Sequence, residues 1–393
     1  MTPPARTQAA IELLDAIIDA ARAKGAPADR LIADYFRTRR YAGSKDRRAV
    51  RELVYRAIRL CGPVPARGRA AMHALSIADP DLAPLFDGSP HGPEPLVVDE
   101  LPAPTGIAPK WLVERLAKSG IARDEAKALL ERAPLDLRVN SLKASRDTIE
   151  LPEQGSPLST PQGLRMPTGL PVENWPAYRD GLIEVQDLGS QWACEAVAPQ
   201  AGETIVDLCA GAGGKTLALA AATGNEAQII AADTDARRLG NLRPRAQKAG
   251  AQIAETILLN PGKEAEGLST LSGKADRVLI DAPCSGTGTW RRNPESRWRL
   301  DPAELKRLTK LQDHVLDTGA ALVRPGGRLI YVTCSLLNEE GANRFDSFLS
   351  RHEGWQAEPV PIAPGTPRGM GVRLTPYRDG TDGFFIAIAR APC

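Results

Sequence analysis

Cysteine and histidine are scarce in this sequence of 393 residues, which contains six of the former and four of the latter. No two cysteines stand at the CxxC spacing of zinc ligands or redox pairs, and the histidines are scattered. We therefore expect neither a metal site nor a disulfide framework. Long apolar runs are also absent, whereas a membrane helix needs about 20 such residues. Acidic residues inside the helical pattern of residues 1–24 argue against a signal peptide, which predicts a cytoplasmic protein with no membrane partner.

Positive charge is concentrated in the first part of the chain. Residues 1–80 contain 15 Lys and Arg against 8 Asp and Glu, although the whole chain has a net charge of only +2. Apolar residues recur at helical spacing in this segment, and a basic stretch at residues 37–51 lies among them. Such a pattern predicts an all-helical domain with an anionic partner. A solvated helical face is the alternative interpretation.

The rest of the chain divides at changes in composition. Residues 81–109 are rich in Pro and Gly, which predicts a linker, and residues 110–181 predict a small α+β module. In residues 182–393 short apolar strands alternate with helices, which predicts an α/β domain with a mostly parallel, Rossmann-like sheet. The predicted strands are 204–208, 228–232, 253–259, 277–280, 328–332 and 383–389, the last one antiparallel. The predicted helices are 189–198, 214–223, 236–249, 302–323 and 338–351.

A glycine-rich turn follows the first strand of this α/β domain, at residues 207–216 (Asp-Leu-Cys-Ala-Gly-Ala-Gly-Gly-Lys-Thr). Such a turn before a helix lets a ligand approach the backbone and presents free N–H groups. A phosphate-binding P-loop would need Gly in place of Cys209, and the GxGxxG frame of dinucleotide sites is broken at Thr216. Asp233, at the end of the second strand, can hold the ribose of a dinucleotide or of S-adenosylmethionine. The residues alone therefore predict a nucleoside cofactor.

Two cysteines follow the carboxyl ends of strands four and five. Residues 281–288 read Asp-Ala-Pro-Cys-Ser-Gly-Thr-Gly and residues 333–335 read Thr-Cys-Ser, which gives Cys284 and Cys334 equivalent positions. Ligands of open parallel sheets bind beyond the carboxyl ends of the strands, so we expect both thiols to face one cleft. A single cysteine there would be explained as a small buried apolar residue. Two such cysteines favour a role in chemistry.

Taken together, these motifs resemble the Sun/Nol/Nop family of RNA 5-methylcytosine methyltransferases. The resemblance covers roughly residues 110–392 and includes Gln-Asp-Leu-Gly-Ser-Gln at 186–191 and Asp-Gly-Phe-Phe at 382–385. It implies the fold of class I S-adenosylmethionine methyltransferases, S-adenosylmethionine as cofactor and RNA as substrate. Ribosomal RNA is the expected substrate and tRNA the other candidate. With RNA as the partner, residues 1–80 are interpreted as an RNA-binding domain. We expect the protein to be a monomer.

The resemblance also implies roles for individual residues. Cys334 would attack C6 of cytosine, which makes C5 able to accept a methyl group, and Cys284 would help to release the product. Asp281 would lie near the methionine moiety and the target base. Asp233 would hold the ribose, and Asn260 would contact the adenine, where the family usually has an acidic residue. The cofactor loop would consist of Cys209, Ala210, Gly211, Ala212, Gly213, Gly214 and Lys215.

RNA contacts are expected from two segments. Residues 290–299 (Trp-Arg-Arg-Asn-Pro-Glu-Ser-Arg-Trp-Arg) interleave arginines with tryptophans, a pattern that suits phosphate contacts and base stacking. A solvated loop with inward tryptophans is the alternative. The strand that follows residue 134 resembles the family's RNA-binding module. The predicted contacts are Arg138, Asn140, Lys143, Arg291 and Arg292. Two other functions stay open: a cytosine-5 DNA methyltransferase and a non-catalytic RNA-binding assembly factor.

Overall fold

The computed structural model describes residues 1–393, which form two compact units. We call the first the helical unit; it comprises Met1–Arg132 and Thr289–Pro302. We call the second the sheet unit; it comprises Ala133–Gly288 and Ala303–Cys393. None of the helices combines the length and the apolar character that crossing a membrane requires.

Amphipathic helices surround one apolar core in the helical unit. The first helix begins after Thr2, whose hydroxyl accepts a hydrogen bond from the backbone N–H of Ala5. Prolines occupy its first turn, where a backbone N–H would have no acceptor within the helix. Its inward face buries Leu14 and Ile18 completely, as the helical spacing predicts. The helices of this unit are α1 (Pro3–Arg22), α2 (Ala28–Thr38), α3 (Ser44–Leu60), α4 (Gly68–Ala78), α5 (Lys110–Lys118) and α6 (Asp124–Ala128).

The boundaries predicted after residue 80 are wrong in two respects. Residues 81–109 are not an open linker, because they start in a 3₁₀ helix at Pro80–Leu85 and bury Phe86 in the helical core. Arg69 fastens the same segment with a bidentate hydrogen bond to Glu100. In addition, α5 and α6 belong to the helical unit and not to the small α+β module. The linker was predicted wrongly because the apolar side chains of this segment are scattered among prolines. They are buried, but they show no helical or strand periodicity.

A small antiparallel sheet opens the sheet unit. Its order is β2-β3-β1-β4, and it packs around an apolar cluster that includes Leu137 and Trp175. The module therefore extends beyond the predicted end at residue 181. Its elements are β1 (Leu135–Val139), β2 (Ser156–Pro157), β3 (Gly163–Met166), a 3₁₀ helix (Val172–Asn174), α7 (Pro176–Arg179) and β4 (Ile183–Val185).

Nine strands form the large sheet, and all six strands predicted in this region are present. They are β5 (Thr204–Asp207), β6 (Gln228–Asp233), β7 (Glu255–Leu258), β8 (Ala275–Asp281), β9 (Val323–Thr333), β10 (Gln356–Glu358), β11 (Thr366–Arg368), β12 (Gly371–Leu374) and β13 (Phe384–Arg390). The helices are α8 (Leu188–Val197), α9 (Gly214–Ala222), α10 (Ala236–Gly240), α11 (Leu242–Ala249), α12 (Glu264–Leu268), α13 (Pro302–Ala320), α14 (Ala342–Arg351) and α15 (Pro376–Asp379).

The order of the large sheet is β11-β12-β13-β9-β8-β5-β6-β7, with β10 paired to β13. Strands β7, β6, β5, β8 and β9 are parallel, and β13 runs antiparallel to β9, as predicted. Residues Val278, Leu279 and Ile280 of β8 are fully buried, because helices cover both faces of a parallel sheet and its central strands become continuously apolar. The carboxyl ends of β5, β6, β8 and β9 consequently meet at one edge.

Candidate active site

The turn between β5 and α9 has a backbone that only glycine fits at two positions. Gly211 and Gly213 have φ angles of 55° and 85°, in the left-handed region where a side chain is strained. A Cβ at Gly213 would lie 2.0 Å from Leu242 Cδ1, and one at Gly211 would lie 2.4 Å from an Arg238 guanidinium nitrogen. The turn can therefore hold its backbone N–H groups close to a ligand.

Asp233 ends β6 beside this turn, and its side chain is buried. Its Oδ2 accepts a hydrogen bond from Gly211 N at 2.7 Å, and its Oδ1 accepts one from Asp235 N at 2.7 Å. An ionised carboxylate has about four acceptor sites. Asp233 can therefore still accept hydrogen bonds from two hydroxyl groups of a ligand.

A cavity of about 420 Å³ opens at the carboxyl ends of the parallel strands, within the usual size range of small-molecule sites. Of the residues predicted for the cofactor and for catalysis, Cys209, Asp233, Asp281, Cys284 and Cys334 line it. The rest of its wall comprises Leu208, Thr234, Asp235, Arg238, Leu259, Glu264, Ala282, Pro283, Leu311, Val315 and Thr318. Asp233 and the two thiols thus share one cavity.

The two thiols touch each other. Cys284 lies on the loop after β8 and Cys334 directly follows β9, and their Sγ atoms are 3.3 Å apart. The hydrogen bond with Cys334, together with burial, raises the pKa of the Cys284 thiol well above its usual value. Cys284 therefore keeps its proton at neutral pH while Cys334 stands beside it.

Lys215 and Asp281 form an ion pair on the same edge of the sheet, with Nζ 2.6 Å from Oδ2. Burial opposes the charged ammonium, but neighbouring negative charge, that of Asp281 first, raises the pKa of Lys215 above its usual value. The lysine stays protonated and its charge is engaged by Asp281. This pair fixes the orientation of the Asp281 side chain at the cavity wall.

The cavity wall contains a buried carboxylate, Glu264, that the sequence did not indicate. Asn260 is exposed and does not line the cavity, whereas Glu264, four residues later, is buried and does. Burial alone would raise the pKa of Glu264, but hydrogen bonds from Gly262 N and His314 lower it overall. Glu264 is therefore an ionised carboxylate on the wall, and the prediction for Asn260 is not supported. No periodic pattern in the sequence marked Glu264, which begins the short helix α12.

The family described as 16S rRNA methyltransferase RsmB/F matches residues 194–390, which is half of the chain. The chain belongs to this family. It is 37% identical over 300 residues to the probable ribosomal RNA small subunit methyltransferase B of Synechocystis sp., covering 71% of this chain and 66% of that protein. It is 34% identical over 293 residues to the enzyme of the same name from Pasteurella multocida, covering 72% and 65%. The match thus spans slightly less than two thirds of these relatives.

Solved structures confirm the fold over the whole chain. The crystal structure of PH0851 is 26% identical and superposes with a TM-score of 0.77, covering 99% of both chains. A methyltransferase homologue from Pyrococcus horikoshii is 27% identical with a TM-score of 0.58, covering 72% of this chain and 99% of its own. The class I methyltransferase sheet and the helical N-terminal region expected for the RsmB/F family are therefore both present.

Several residues that were predicted to contact RNA are instead buried inside the protein. Arg138 is buried and donates to Gln186 Oε1, and Asn140 is buried and donates to two backbone carbonyls. Arg291 is buried as well, in the helical unit. Contact with RNA is not supported for these three residues, because their polar groups do not face solvent. Lys143 is exposed and Arg292 is partly exposed, so their contacts with RNA remain predictions.

Proposed function

We propose that the protein transfers a methyl group from S-adenosylmethionine to C5 of a cytosine in RNA, through a covalent bond between Cys334 and C6. The observation that carries this proposal is the contact of two thiols, 3.3 Å apart, on the wall of the cavity that Asp233 and Cys209 also line. A cytosine that reaches both thiols must be unpaired or flipped out of its stack.

The nucleophile is Cys334 in this proposal. Its thiolate adds to C6, and the electrons of the C5–C6 double bond move so that C5 becomes nucleophilic. S-adenosylmethionine supplies the electrophilic methyl group that C5 then takes up. A base removes the C5 proton, the C5–C6 double bond re-forms, and the C6–sulfur bond breaks to return the Cys334 thiolate.

The geometry supports Cys284 as the group that assists release. The largest cause of its raised pKa is the hydrogen bond with Cys334. Once the sulfur of Cys334 is bonded to C6, that cause is removed and the Cys284 thiol becomes more acidic. Its thiolate can then accept the C5 proton at the step where a base is needed.

The residues around the cavity suit S-adenosylmethionine. Asp233 would accept hydrogen bonds from the ribose hydroxyls, and the backbone of the turn from Cys209 to Lys215 would lie against the methionine carboxylate. Asp281, held by Lys215, would face the methionine moiety and the target base. Glu264 would accept a hydrogen bond from the adenine amino group, the role that the sequence predicted for Asn260.

We propose small-subunit ribosomal RNA as the substrate, because the enzymes that the chain resembles carry that name. The test uses matched RNA and DNA oligonucleotides with S-adenosylmethionine carrying a labelled methyl group, followed by bisulfite sequencing of treated 16S rRNA and tRNA. Label in RNA cytosine and a protected position in 16S rRNA are expected. Label in DNA alone, or no label in any substrate, would contradict the proposal.

A further inference from the structure

A carboxylate that plays no part in the reaction above is fully buried beside the two thiols. Glu340 lies in the turn between Cys334 and α14, and its side chain has no exposed surface. Ionisable groups are rarely buried unless hydrogen bonds compensate the loss of water. The partners of Glu340 therefore indicate what the residue does.

Each oxygen of Glu340 accepts hydrogen bonds from a residue that adjoins a thiol. Oε1 accepts from Ser285 N at 2.8 Å and from Gln312 Nε2 at 3.0 Å. Oε2 accepts from Ser335 Oγ at 2.6 Å and from Ser285 Oγ. Ser285 directly follows Cys284 and Ser335 directly follows Cys334, so one carboxylate holds both loops.

Further hydrogen bonds connect the turn that contains Glu340 to β9 and connect the two cysteine loops to each other. The Tyr331 hydroxyl donates to the backbone carbonyl of Glu340 at 2.6 Å, which fastens the turn to β9. Thr287 Oγ1 lies 3.1 Å from Ser335 Oγ and accepts from Leu336 N at 2.9 Å, which joins the two loops a second time. Gln312 also donates to Pro283 O at 2.9 Å. Both oxygens of Glu340 accept hydrogen bonds, and buried hydrogen bonds of this kind fix one arrangement of the groups they join.

We infer that Glu340 is a positioning residue that keeps the Cys284 and Cys334 thiols in contact by fastening the serine after each of them. The consequence for catalysis rests on the proposed function: C5 and C6 are adjacent ring atoms, so both thiols must face the same ring at once. A shift of about 1 Å in reacting groups can lower a rate by about a hundredfold.

Glu340 also places charge near Cys284. The groups that act on the pKa of this thiol are Cys334, which follows β9, and Glu340 from the turn, and Tyr331 of β9 interacts with it as well. The negative charge of Glu340 adds to the effects that raise the pKa of Cys284. Its removal should therefore make the Cys284 thiol more acidic, in addition to any change of position.

The test compares Glu340→Ala with Glu340→Gln in the full chain, without RNA. Diamide oxidises two neighbouring thiols to a disulfide by taking up their two hydrogen atoms, and the sulfurs must close from contact to about 2.05 Å. The rate of Cys284–Cys334 linkage, followed by peptide mass spectrometry, reports their alignment. We expect at least a tenfold slower linkage in Glu340→Ala. Glu340→Gln should link at least as fast as the wild type, because the amide can still bridge the two serine hydroxyls.

Controls separate alignment from a general loss of structure. Glu339→Ala removes the adjacent carboxylate and leaves in place the one that accepts hydrogen bonds from Ser285 and Ser335, so this variant should link at the wild-type rate. S-adenosylmethionine affinity of each variant should stay within about threefold of wild type, since each contact of 1.4 kcal/mol would change it tenfold. If Glu340→Ala does not fold, Ser335→Ala replaces it, with an expected linkage that is three- to tenfold slower. Disulfide linkage at the wild-type rate in a folded Glu340→Ala variant, or in Ser335→Ala where that replaces it, would overturn the inference.

Methyl transfer provides a separate measurement. If the proposed function also holds, Glu340→Ala should lower kcat at least tenfold with an unchanged KM for RNA. Glu340→Gln should restore most of kcat and shift the acid-side limb of its pH profile, along which Cys284 loses its proton to act as a base, to lower pH. Slow linkage in Glu340→Ala together with no methylation by the wild type would refute the proposed function and leave the positioning role intact. Equal kcat in both variants and the wild type would overturn the positioning role.

Discussion

Two segments of the helical unit are both rich in arginine, but one is exposed to solvent and the other is largely buried. In the exposed basic stretch, residues 37–51, five arginines and a lysine face solvent: Arg37, Arg40, Lys45, Arg47, Arg48 and Arg51. In the buried arginine segment, residues 290–299, Trp290 and Arg297 have no exposed surface and Trp298 has 4%. The two tryptophans explain why this segment is buried. Their large apolar rings pack in the interior, and the neighbouring arginines are buried with them.

The comparison shows that interleaved arginine and tryptophan do not by themselves indicate a surface for nucleic acid. Arginine carries five N–H donors, which can satisfy backbone carbonyls as well as phosphates. Arg297 donates to Ile58 O at 2.6 Å and to Cys61 O at 2.8 Å, while Trp298 Nε1 donates to Cys61 O at 3.3 Å. The buried arginine segment therefore completes the core of the helical unit, whereas contact with RNA stays a prediction for the exposed basic stretch.

The largest effect is expected in the buried arginine segment. Arg297→Ala leaves carbonyls of the helical unit without donors and opens a cavity, and should destabilise that unit by about 3 kcal/mol or more. Urea unfolding followed by tryptophan fluorescence measures it. The matched control, Arg48→Ala in the exposed basic stretch, should change stability by less than about 0.5 kcal/mol. Similar stability of the two variants would remove the distinction between the segments.

A smaller effect, on binding and not on stability, is expected in the exposed basic stretch. Changing Arg40, Lys45 and Arg48 together to Gln should weaken RNA binding and reduce the slope of log Kd against log salt by about 2 to 3, because each phosphate contact contributes roughly 0.7 to 0.9. Lys306→Gln with Lys310→Gln, on exposed positions of α13, provides the control. An unchanged slope would make the stretch a solvated surface only.

Substitution is preferable to truncation in this experiment. Removing residues 1–80 would also remove the partners of Arg297 and Trp298 and expose the buried arginine segment. A loss of RNA binding after truncation would therefore not distinguish missing phosphate contacts from an unfolded helical unit.

The smallest effects are expected on cofactor affinity. The sequence predicted cofactor contacts for both Asp233 and Asn260, but only Asp233 is buried at the cavity. Asp233→Ala should weaken S-adenosylmethionine binding by about 1.5–3 kcal/mol, because it removes charge-assisted hydrogen bonds to the ribose. Asn260→Ala should change it by less than about 0.5 kcal/mol, since Asn260 is exposed and outside the cavity wall. Calorimetry at one pH and salt concentration measures both. Equal affinities would refute the assignment of the ribose to Asp233.

The sequence predicted those features that depend on neighbouring residues. The parallel strands of the large sheet were recognisable because buried parallel strands are continuously apolar, whereas the short strands β10, β11 and β12 were not predicted. The shared edge of β8 and β9 brought Cys284 to Cys334. Features that depend on distant contacts were not recognisable. Arg297 and Ile58 meet across 239 positions of the chain. Glu264 reaches the cavity from the start of α12, and Glu340 reaches both cysteine loops from the turn before α14; neither residue carries a periodic signal.

The central claim is that Cys334 forms the covalent bond and Cys284 resolves it, and a denaturing gel of the two alanine variants with labelled RNA tests it most directly. Cys284→Ala should accumulate a methylated, ribonuclease-sensitive RNA–protein adduct, because addition and methyl transfer proceed while release is slow. Cys334→Ala should form no adduct and no 5-methylcytosine. An adduct in Cys334→Ala, with none in Cys284→Ala, would contradict the account and assign the attack to Cys284.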